Sequence, residues 1–166
     1  MRTGIALGSN LGDRRALLAA GRDFVFSLQE GSGSPLCSGL YETEPVECAP
    51  GTDSFLNAVV EIETQLSPAD VLARLRAYER TAGRAENHAR NSPRGIDLDL
   101  LYAGDARIDA PEMTLPHPRM TSRRFVLQPL ADIRPDLVIP GEKNAVSSLL
   151  ASLPAAPAVR LVEDRW

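Results

Sequence analysis

Lysine is nearly absent from this sequence: Lys143 stands alone beside 17 arginines among 166 residues. With a net charge of −4 and a pI near 5.2, the chain lacks the positive excess that a broad nucleic-acid-binding surface requires. No apolar stretch approaches the roughly 20 residues that span a bilayer. The first ten residues hold too short an apolar segment for a secretory signal. We therefore expect a cytoplasmic protein that binds neither membranes nor nucleic acids.

Cysteine and histidine are also scarce, with two residues of each. Cys37 and Cys48 do not show the spacing of a metal motif, and both histidines lie far from them in the sequence. Cysteine chemistry and a zinc centre are therefore not expected. A composition of 43% hydrophobic and 24% charged residues is typical of a globular protein, and the length predicts one domain over residues 1–166.

The common phosphate-binding loops are missing as well. No G-x-x-x-x-G-K-[ST] motif occurs, which excludes a Walker-type site. The segment GSNLG (8–12) lacks the G-x-G-x-x-G spacing of a dinucleotide site. We interpret it as a structural tight turn after the first strand.

Hydrophobic periodicity predicts the order β-α-β-β-α-β in the first two thirds of the chain. The predicted strands cover 3–8, 38–43, 55–64 and the core of 94–102. The predicted helices run from Asp13, with the apolar stripe Leu17, Phe24 and Leu28, and from Ser67 to Gly83. This order is typical of ferredoxin-like folds, in which two helices cover one face of an antiparallel sheet.

The last third predicts additions to this core. A Pro-rich connection leads to helices near 122–132 and 145–152 and a strand at 159–162. The predicted class is therefore α+β: a ferredoxin-like βαββαβ core, a mainly antiparallel sheet with helices packed on it, and C-terminal additions.

Two carboxylates interrupt an otherwise apolar strand in RGIDLDLLY, residues 94–102. Asp97 and Asp99 are two apart, so they share one face of the strand with Cα atoms about 6–7 Å apart. Anions this close repel each other and need compensation. Three interpretations are open: a solvated sheet face, an acid/base pair, or a site for one or two divalent cations.

Nearby arginines favour the metal interpretation. Arg84, Arg90 and Arg94 precede the strand, and a second group follows it together with His117: Arg119, Arg123 and Arg124. Guanidinium groups bind phosphate oxygens in a planar fork. Magnesium is held by one or two carboxylates together with substrate phosphates. The combination predicts a binding site for a polyphosphate.

Six segments occur together in an order and spacing that resemble one known family. They are GSNLGDR (8–14), YETEPV (41–46), FLNAVVEIET (55–64), SPRGIDLDLLY (92–102), LPHPR (115–119) and RRFVLQPLADIRPD (123–136). The chain resembles 6-hydroxymethyl-7,8-dihydropterin pyrophosphokinase of the folate pathway over nearly its whole length. The resemblance implies transfer of pyrophosphate from ATP to the pterin hydroxymethyl group, with release of AMP. It also implies a monomer in which two Mg²⁺ ions bind together with ATP.

The resemblance implies roles for individual residues. Four are implied as catalytic: Asp97 and Asp99 match the aspartates that hold the magnesium ions, and Arg84 and Arg94 match arginines that engage the phosphates. Beside those arginines, the implied ATP contacts are Glu79, Leu100, Thr114, His117 and Arg123. The implied pterin contacts are Thr43, Val46, Phe55, Asn57 and Phe125, with the two phenylalanine rings enclosing the pterin. Strand alternation independently places Phe55 and Asn57 on one face.

The chain departs from the family pattern just before the strand that carries the aspartates. Asn91-Ser92-Pro93-Arg94 replaces a Trp-Gly-Pro-Arg-like segment, and Glu86 stands where a second arginine commonly follows Arg84. We expect the loop of residues 84–95 to act as a lid over both substrates. An alternative from another class is a ferredoxin-like sensor that binds nucleotide or pterin without turnover.

Overall fold

The computed structural model describes residues 1–44, 53–82 and 95–166. The elements in chain order are β1 (Arg2–Ser9), α1 (Arg14–Phe26), β2 (Leu36–Cys37), β3 (Leu40–Thr43), β4 (Phe55–Glu63), α2 (Pro68–Thr81), β5 (Asp97–Ala103), β6 (Ile108–Ala110), β7 (Met113–Leu115), α3 (Arg124–Ile133), α4 (Val146–Ser152) and β8 (Val159–Glu163). Within these three ranges, every helix is too short or too polar to cross a bilayer.

A six-stranded sheet forms the centre of the fold. Its strand order is β5-β1-β4-β3-β8, and each neighbouring pair is antiparallel. The two-residue strand β2 also pairs with β4, and β6 and β7 form a separate hairpin. The order β5-β1-β4-β3 is that of a ferredoxin-like core, which confirms the predicted α+β class. The added strand β8 extends the sheet beyond β3.

Helices cover both faces of the sheet. Helices α1 and α2 pack on the face formed by alternate residues of β1 and β4, among them Ile5, Leu7, Ala58, Val60 and Ile62. Helices α3 and α4 pack on the opposite face, around a second cluster that includes Val59, Leu101, Leu127, Leu130 and Val146. The prediction of two helices on one face is confirmed for α1 and α2. The C-terminal additions complete the other face and leave part of it open for a site.

Helix α1 is rotated relative to its predicted face. Of the predicted stripe Leu17, Phe24 and Leu28, Leu28 is buried just after the helix and Phe24 packs against the core. The buried residues within the helix itself are Leu18, Gly21 and Val25. A Cβ atom on Gly21 would lie 2.3 Å from Cδ1 of Ile96, so the helix approaches the sheet most closely along its glycine. Phe24 lies beside this contact and stacks on Tyr78 of α2, with ring centroids 4.3 Å apart.

Two other boundaries differ from the prediction. The strand predicted over 38–43 begins at Leu40, because the Ser38 hydroxyl accepts the Val59 N–H at 2.9 Å and interrupts the ladder. The segment GSNLG does not turn at Gly8; β1 continues to Ser9, and the chain turns at Gly12, where φ is 67°. Gly8 therefore belongs to the sheet.

A buried carboxylate joins α3 to the sheet. Glu61 in β4 has 4% of its side chain exposed and accepts the Tyr102 hydroxyl at 2.6 Å. The Arg134 guanidinium, just after α3, donates to both Glu61 oxygens. The Tyr102 ring crosses above Gly4 to reach Glu61, so that a Cβ atom on Gly4 would lie 2.3 Å from the ring. Burial raises the pKa of Glu61, and the hydrogen bond from Tyr102 and the charge of Arg2 oppose this shift.

We predict that Gly4→Ala lowers the free energy of unfolding by about 1–3 kcal/mol, because the methyl group displaces the Tyr102 ring from Glu61. Urea denaturation of the variant and wild type measures this. The matched control is Gly8→Ala on the same strand face, where the nearest heavy atom to the added Cβ is 3.5 Å away. Equal stability of Gly4→Ala and wild type would contradict the assigned contact.

Candidate active site

A row of three residues crosses the open part of the sheet. Gly8 of β1 pairs with Asn57 of β4 on one side and with Asp97 of β5 on the other. Because cross-strand partners point to the same face, Asn57 and Asp97 flank a position that has no side chain. A Cβ atom on Gly8 would lie 3.5 Å from Asn57 Oδ1 and 4.0 Å from Asp97 Cβ. The row is a flat floor with an amide at one end and a carboxylate at the other.

The two aspartates share the face that the sequence predicted. Asp97 and Asp99 are half-buried, while Leu98 and Leu100 between and beyond them are buried in the core of α1 and α2. Asp99 keeps 45% of its side chain exposed, and its Oδ2 lies 4.0 Å from Nη1 of Arg123. Strand β5 is an edge of the sheet, so both carboxylates are accessible from its open side.

These carboxylates fit magnesium better than zinc or iron. In the described ranges, no group of three or more His, Cys, Asp or Glu side chains is arranged to hold a metal ion. Asp97 and Asp99 supply hard oxygen donors from two side chains only. Magnesium is commonly held in this way, with substrate phosphates and water completing its shell.

Asn57 and its neighbours form the amide end of the floor. Asn57 is buried, and its Nδ2 donates to Oγ1 of Thr43. Thr43 pairs across the strands with Phe55, which is half-buried. Thr43, Phe55 and Asn57 are thus brought together on one face. The Thr43 contact fixes the orientation of the Asn57 amide before a ligand is present.

Helix α3 places Phe125 and Arg123 on the same face of the sheet. Phe125 packs beside the cluster formed by Val59 and Leu127, and the Arg123 guanidinium lies 5.4 Å from the centroid of its ring. The N-terminal end of α3 therefore carries an aromatic ring and a cation toward the floor. The second phenylalanine predicted for the pterin, Phe55, comes from β4.

The other end of α3 is held by a tyrosine of β3. The Tyr41 hydroxyl donates to Asp132 at 2.8 Å, and Asp132 Oδ2 also accepts the Gly39 N–H at 3.3 Å. Burial raises the pKa of Tyr41 to about 12, so the phenol remains a donor at neutral pH. Tyr41 pairs with Asn57 across the strands, which links the anchor of α3 directly to the floor.

A cleft of about 310 Å³ lies along the outer edge of β5. Five residues predicted around ATP or magnesium line it: Glu79, Asp99, Leu100, Thr114 and His117. Helix α2 forms one wall and the β6–β7 hairpin forms the other. The Arg76 guanidinium donates to the Glu112 carbonyl at 3.2 Å and joins the two walls.

Glu79 and His117 are both held by backbone groups. Glu79 is 2% exposed, and its Oε1 accepts the Leu98 N–H at 2.8 Å at the edge of β5. The backbone N–H of His117 donates to the Leu101 carbonyl at 2.7 Å, and the ring Nδ1 of His117 accepts the backbone N–H of Arg119 at 3.2 Å. Burial lowers the pKa of His117, opposed by the charge of Asp99. The imidazole of His117 is therefore neutral at neutral pH.

Three predicted site residues, Val46, Arg84 and Arg94, lie outside the described residues, as does the predicted lid of residues 84–95 apart from Gly95. Sequence reasoning missed Gly8 as the floor and Tyr41 as the anchor of α3. It also missed the β6–β7 hairpin that walls the cleft. The GSNLG segment carried a signal for Gly8, since a glycine that alternates with buried residues in a strand marks a close approach to that face.

Comparison with known proteins identifies the family. The family model described as 7,8-dihydro-6-hydroxymethylpterin-pyrophosphokinase (HPPK) matches residues 4–135. Among relatives named 2-amino-4-hydroxy-6-hydroxymethyldihydropteridine pyrophosphokinase, the Pseudomonas aeruginosa protein is 38% identical over 160 residues, 96% of each chain. The Porphyromonas gingivalis protein of that name is 43% identical over 138 residues, 79% of this chain and 89% of the relative.

Solved structures agree with this assignment at the level of the fold. An HPPK-DHPS crystal structure in complex with substrates superposes with a TM-score of 0.71 at 13% identity, covering 91% of this chain and 43% of that one. The wild-type Plasmodium falciparum HPPK-DHPS gives a TM-score of 0.69 at 14% identity, covering 90% of this chain and 44% of that one. With the family model matching most of its length, the chain belongs to the 7,8-dihydro-6-hydroxymethylpterin-pyrophosphokinase family.

Proposed function

We propose that this protein transfers pyrophosphate from ATP to the hydroxymethyl group of 6-hydroxymethyl-7,8-dihydropterin, releasing AMP, in folate biosynthesis. The observation that carries the proposal is the row Asp97–Gly8–Asn57, which places a carboxylate and an oriented amide on one flat floor. A transfer between two substrates requires both to lie side by side. Family membership supports the same reaction.

The cleft at the edge of β5 is the proposed site for ATP. The cleft extends from the buried side chain of Leu100 to the carboxylate of Asp99. A nucleotide bound along the cleft would therefore have its phosphates near the aspartates. His117 and Thr114 line the intervening wall. Arg123 supplies positive charge within 4.0 Å of Asp99 and is the described residue proposed to contact the phosphates. Arg84 and Arg94 are proposed to add charge from the preceding segment.

Asp97 and Asp99 are the proposed ligands of two Mg²⁺ ions. When bound with ATP, magnesium would screen the charge of the phosphate chain and allow an oxygen nucleophile to approach. The contribution of the chain is to hold two carboxylates on one face of a rigid strand, with the buried residues beside them fixing their direction.

The opposite end of the floor is the proposed site for the pterin. Phe55 and Phe125 supply rings from β4 and α3 for stacking on a planar heterocycle, and Asn57 supplies donors and an acceptor for its polar edge. Thr43 and Val46 are proposed to form the adjoining wall. In the reaction, the pterin hydroxyl oxygen bonds to the β-phosphorus, the bond from that phosphorus to the α-phosphate oxygen breaks, and the hydroxyl proton is released.

We also propose that residues 1–166 act as one domain and as a monomer. Strand β8 pairs with β3 of the core sheet, and α4 packs in the same cluster as α3, which supports one domain. The monomer is expected from the family resemblance and the cytoplasmic location from the composition of the sequence, and both stay predictions.

The direct test is AMP formation from ATP, Mg²⁺ and 6-hydroxymethyl-7,8-dihydropterin, measured with and without the pterin. We expect AMP that depends on the pterin. ATP hydrolysis without pterin dependence would contradict the proposal. Binding of both ligands without AMP formation would favour the alternative of a sensor.

We predict that Asp97→Asn and Asp99→Asn each reduce AMP formation at least a hundredfold and leave the melting temperature unchanged or higher, because the charge pair is no longer repulsive. The matched control is Asp105→Asn, an exposed aspartate beyond the far end of β5, which should keep wild-type activity. Normal turnover by Asp97→Asn would remove this aspartate from the metal site.

We predict that Gly8→Ala raises the KM for the pterin about tenfold, equivalent to 1.4 kcal/mol of binding. The added methyl group would stand between Asn57 and Asp97 and lift a flat ligand from the floor, while its 3.5 Å contact is tolerated by the fold. Steady-state kinetics at saturating ATP measures the change. An unchanged pterin KM would show that the pterin does not lie across this glycine.

A further inference from the structure

The segment GSNLGDR ends in a side chain that reaches behind the pterin end of the floor. Arg14 is the first residue of α1 and follows the N-cap Asp13, whose side chain accepts the Ala16 N–H at 3.0 Å. The Arg14 Nη1 group donates to the Ser54 carbonyl at 2.6 Å and lies 2.9 Å from the Ser54 hydroxyl. Ser54 directly precedes Phe55.

Glu42 completes this contact from the neighbouring strand. Its Oε1 accepts the Ser54 hydroxyl at 2.8 Å and Arg14 Nη1 at 3.3 Å. The hydrogen bond from Ser54 and the guanidinium groups of Arg160 and Arg14 hold the pKa of Glu42 below its usual range. The carboxylate is therefore ionised at neutral pH. Arg14, Glu42 and Ser54 together are called the Arg14 cluster below.

The Arg14 cluster lies on the sheet face opposite the floor. Glu42 pairs with Leu56, which points into the core of α1 and α2, whereas the next pair, Thr43 with Phe55, points to the floor. Thr43–Phe55 is also the last described pair of the β3–β4 ladder. A terminal pair of a ladder opens more readily than its centre unless other contacts hold it. The Arg14 cluster holds the residues immediately before both members of the pair.

We propose that the Arg14 cluster positions Thr43 and Phe55 for the dihydropterin. This inference rests on the proposed function and extends it to residues that do not touch the substrate. By fixing the last pair of the ladder, the cluster also fixes Asn57, whose amide donates to Thr43. Binding then requires less ordering of the site, and the gain appears in the affinity for the pterin and not in that for ATP.

The chain offers a matched control in the next residue. Arg15 also forms an ion pair from α1, with two hydrogen bonds of 2.7 Å to Glu163 of β8. This pair joins α1 to β8 and does not involve Ser54 or Glu42. Arg15→Ala therefore removes an arginine and an ion pair of the same kind without opening the Thr43–Phe55 pair.

The experiment compares Arg14→Ala, Ser54→Ala and Arg15→Ala with wild type in two measurements. The first is hydrogen exchange of the amides in residues 41–44 and 53–57. The second is the KM for the pterin and for ATP in the AMP assay. We expect Arg14→Ala and Ser54→Ala to exchange at least tenfold faster in these segments and to raise the pterin KM about tenfold, with the ATP KM within twofold. Arg15→Ala should match wild type in both measurements, and Arg14→Lys should give an intermediate pterin KM.

The possible results separate this inference from the proposed function. Unchanged hydrogen exchange in Arg14→Ala and Ser54→Ala would overturn the positioning role. Faster exchange with an unchanged pterin KM in active enzyme would also overturn it, since the cluster would then be structural only. A wild-type protein that forms no pterin-dependent AMP would overturn the proposed function and the substrate-positioning role together. If Arg14→Ala fails to fold, the smaller change in Ser54→Ala decides the question alone.

Discussion

Strand β1 is hydrogen-bonded to β4 on one side and to β5 on the other, and the site depends on this double pairing. Between residues 4 and 8, one face of β1 carries only Gly4, Ala6 and Gly8, so the larger side chains of both neighbouring strands meet above it. Above Gly4, this space is filled by Tyr102 as it reaches Glu61. Above Gly8, the same lack of side chains leaves an open floor. The difference between a packed and an open end of one face is what creates the site.

Helix α3 determines how much of that floor remains open. Its apolar residues pack against Val59 and Leu101, and the burial of apolar surface supplies most of the free energy that holds the helix on the sheet. Its orientation is set by polar contacts at one end, from Asp132 to Tyr41 and from Arg134 to Glu61. These contacts are directional and hold the helix in one rotation. Consequently, the opposite end of α3 places Arg123 within 4.0 Å of Asp99 and the Phe125 ring beside Arg123.

The sequence predicted those features that depend on local periodicity. Alternation in β4 and β5 correctly assigned the faces of Asn57 and Asp97, because a strand has only two faces. Periodicity found one edge of the buried face of α1, with Phe24 and Leu28, but missed its centre. The closest approach to the sheet is set by the missing side chain of Gly21 against Ile96, a contact distant in sequence. The face covered by α3 and the three-residue strands β6 and β7 were likewise beyond local patterns, because both depend on tertiary packing. The family resemblance implied the candidate site residues, and the structure brings the described ones to one face of the sheet or its edge.

The most direct test of this account is to locate both ligands on the protein at the same time. Backbone resonances of isotope-labelled protein would be followed on addition of Mg²⁺, a non-hydrolysable ATP analogue and 6-hydroxymethylpterin. The account predicts that the largest shifts fall on Gly8, Asn57, Asp97 and Asp99, with the analogue alone affecting mainly the edge of β5. Shifts confined to the α1 and α2 face, or to the closed end around Glu61, would contradict the claim that the open floor and the adjoining cleft bind the two substrates side by side.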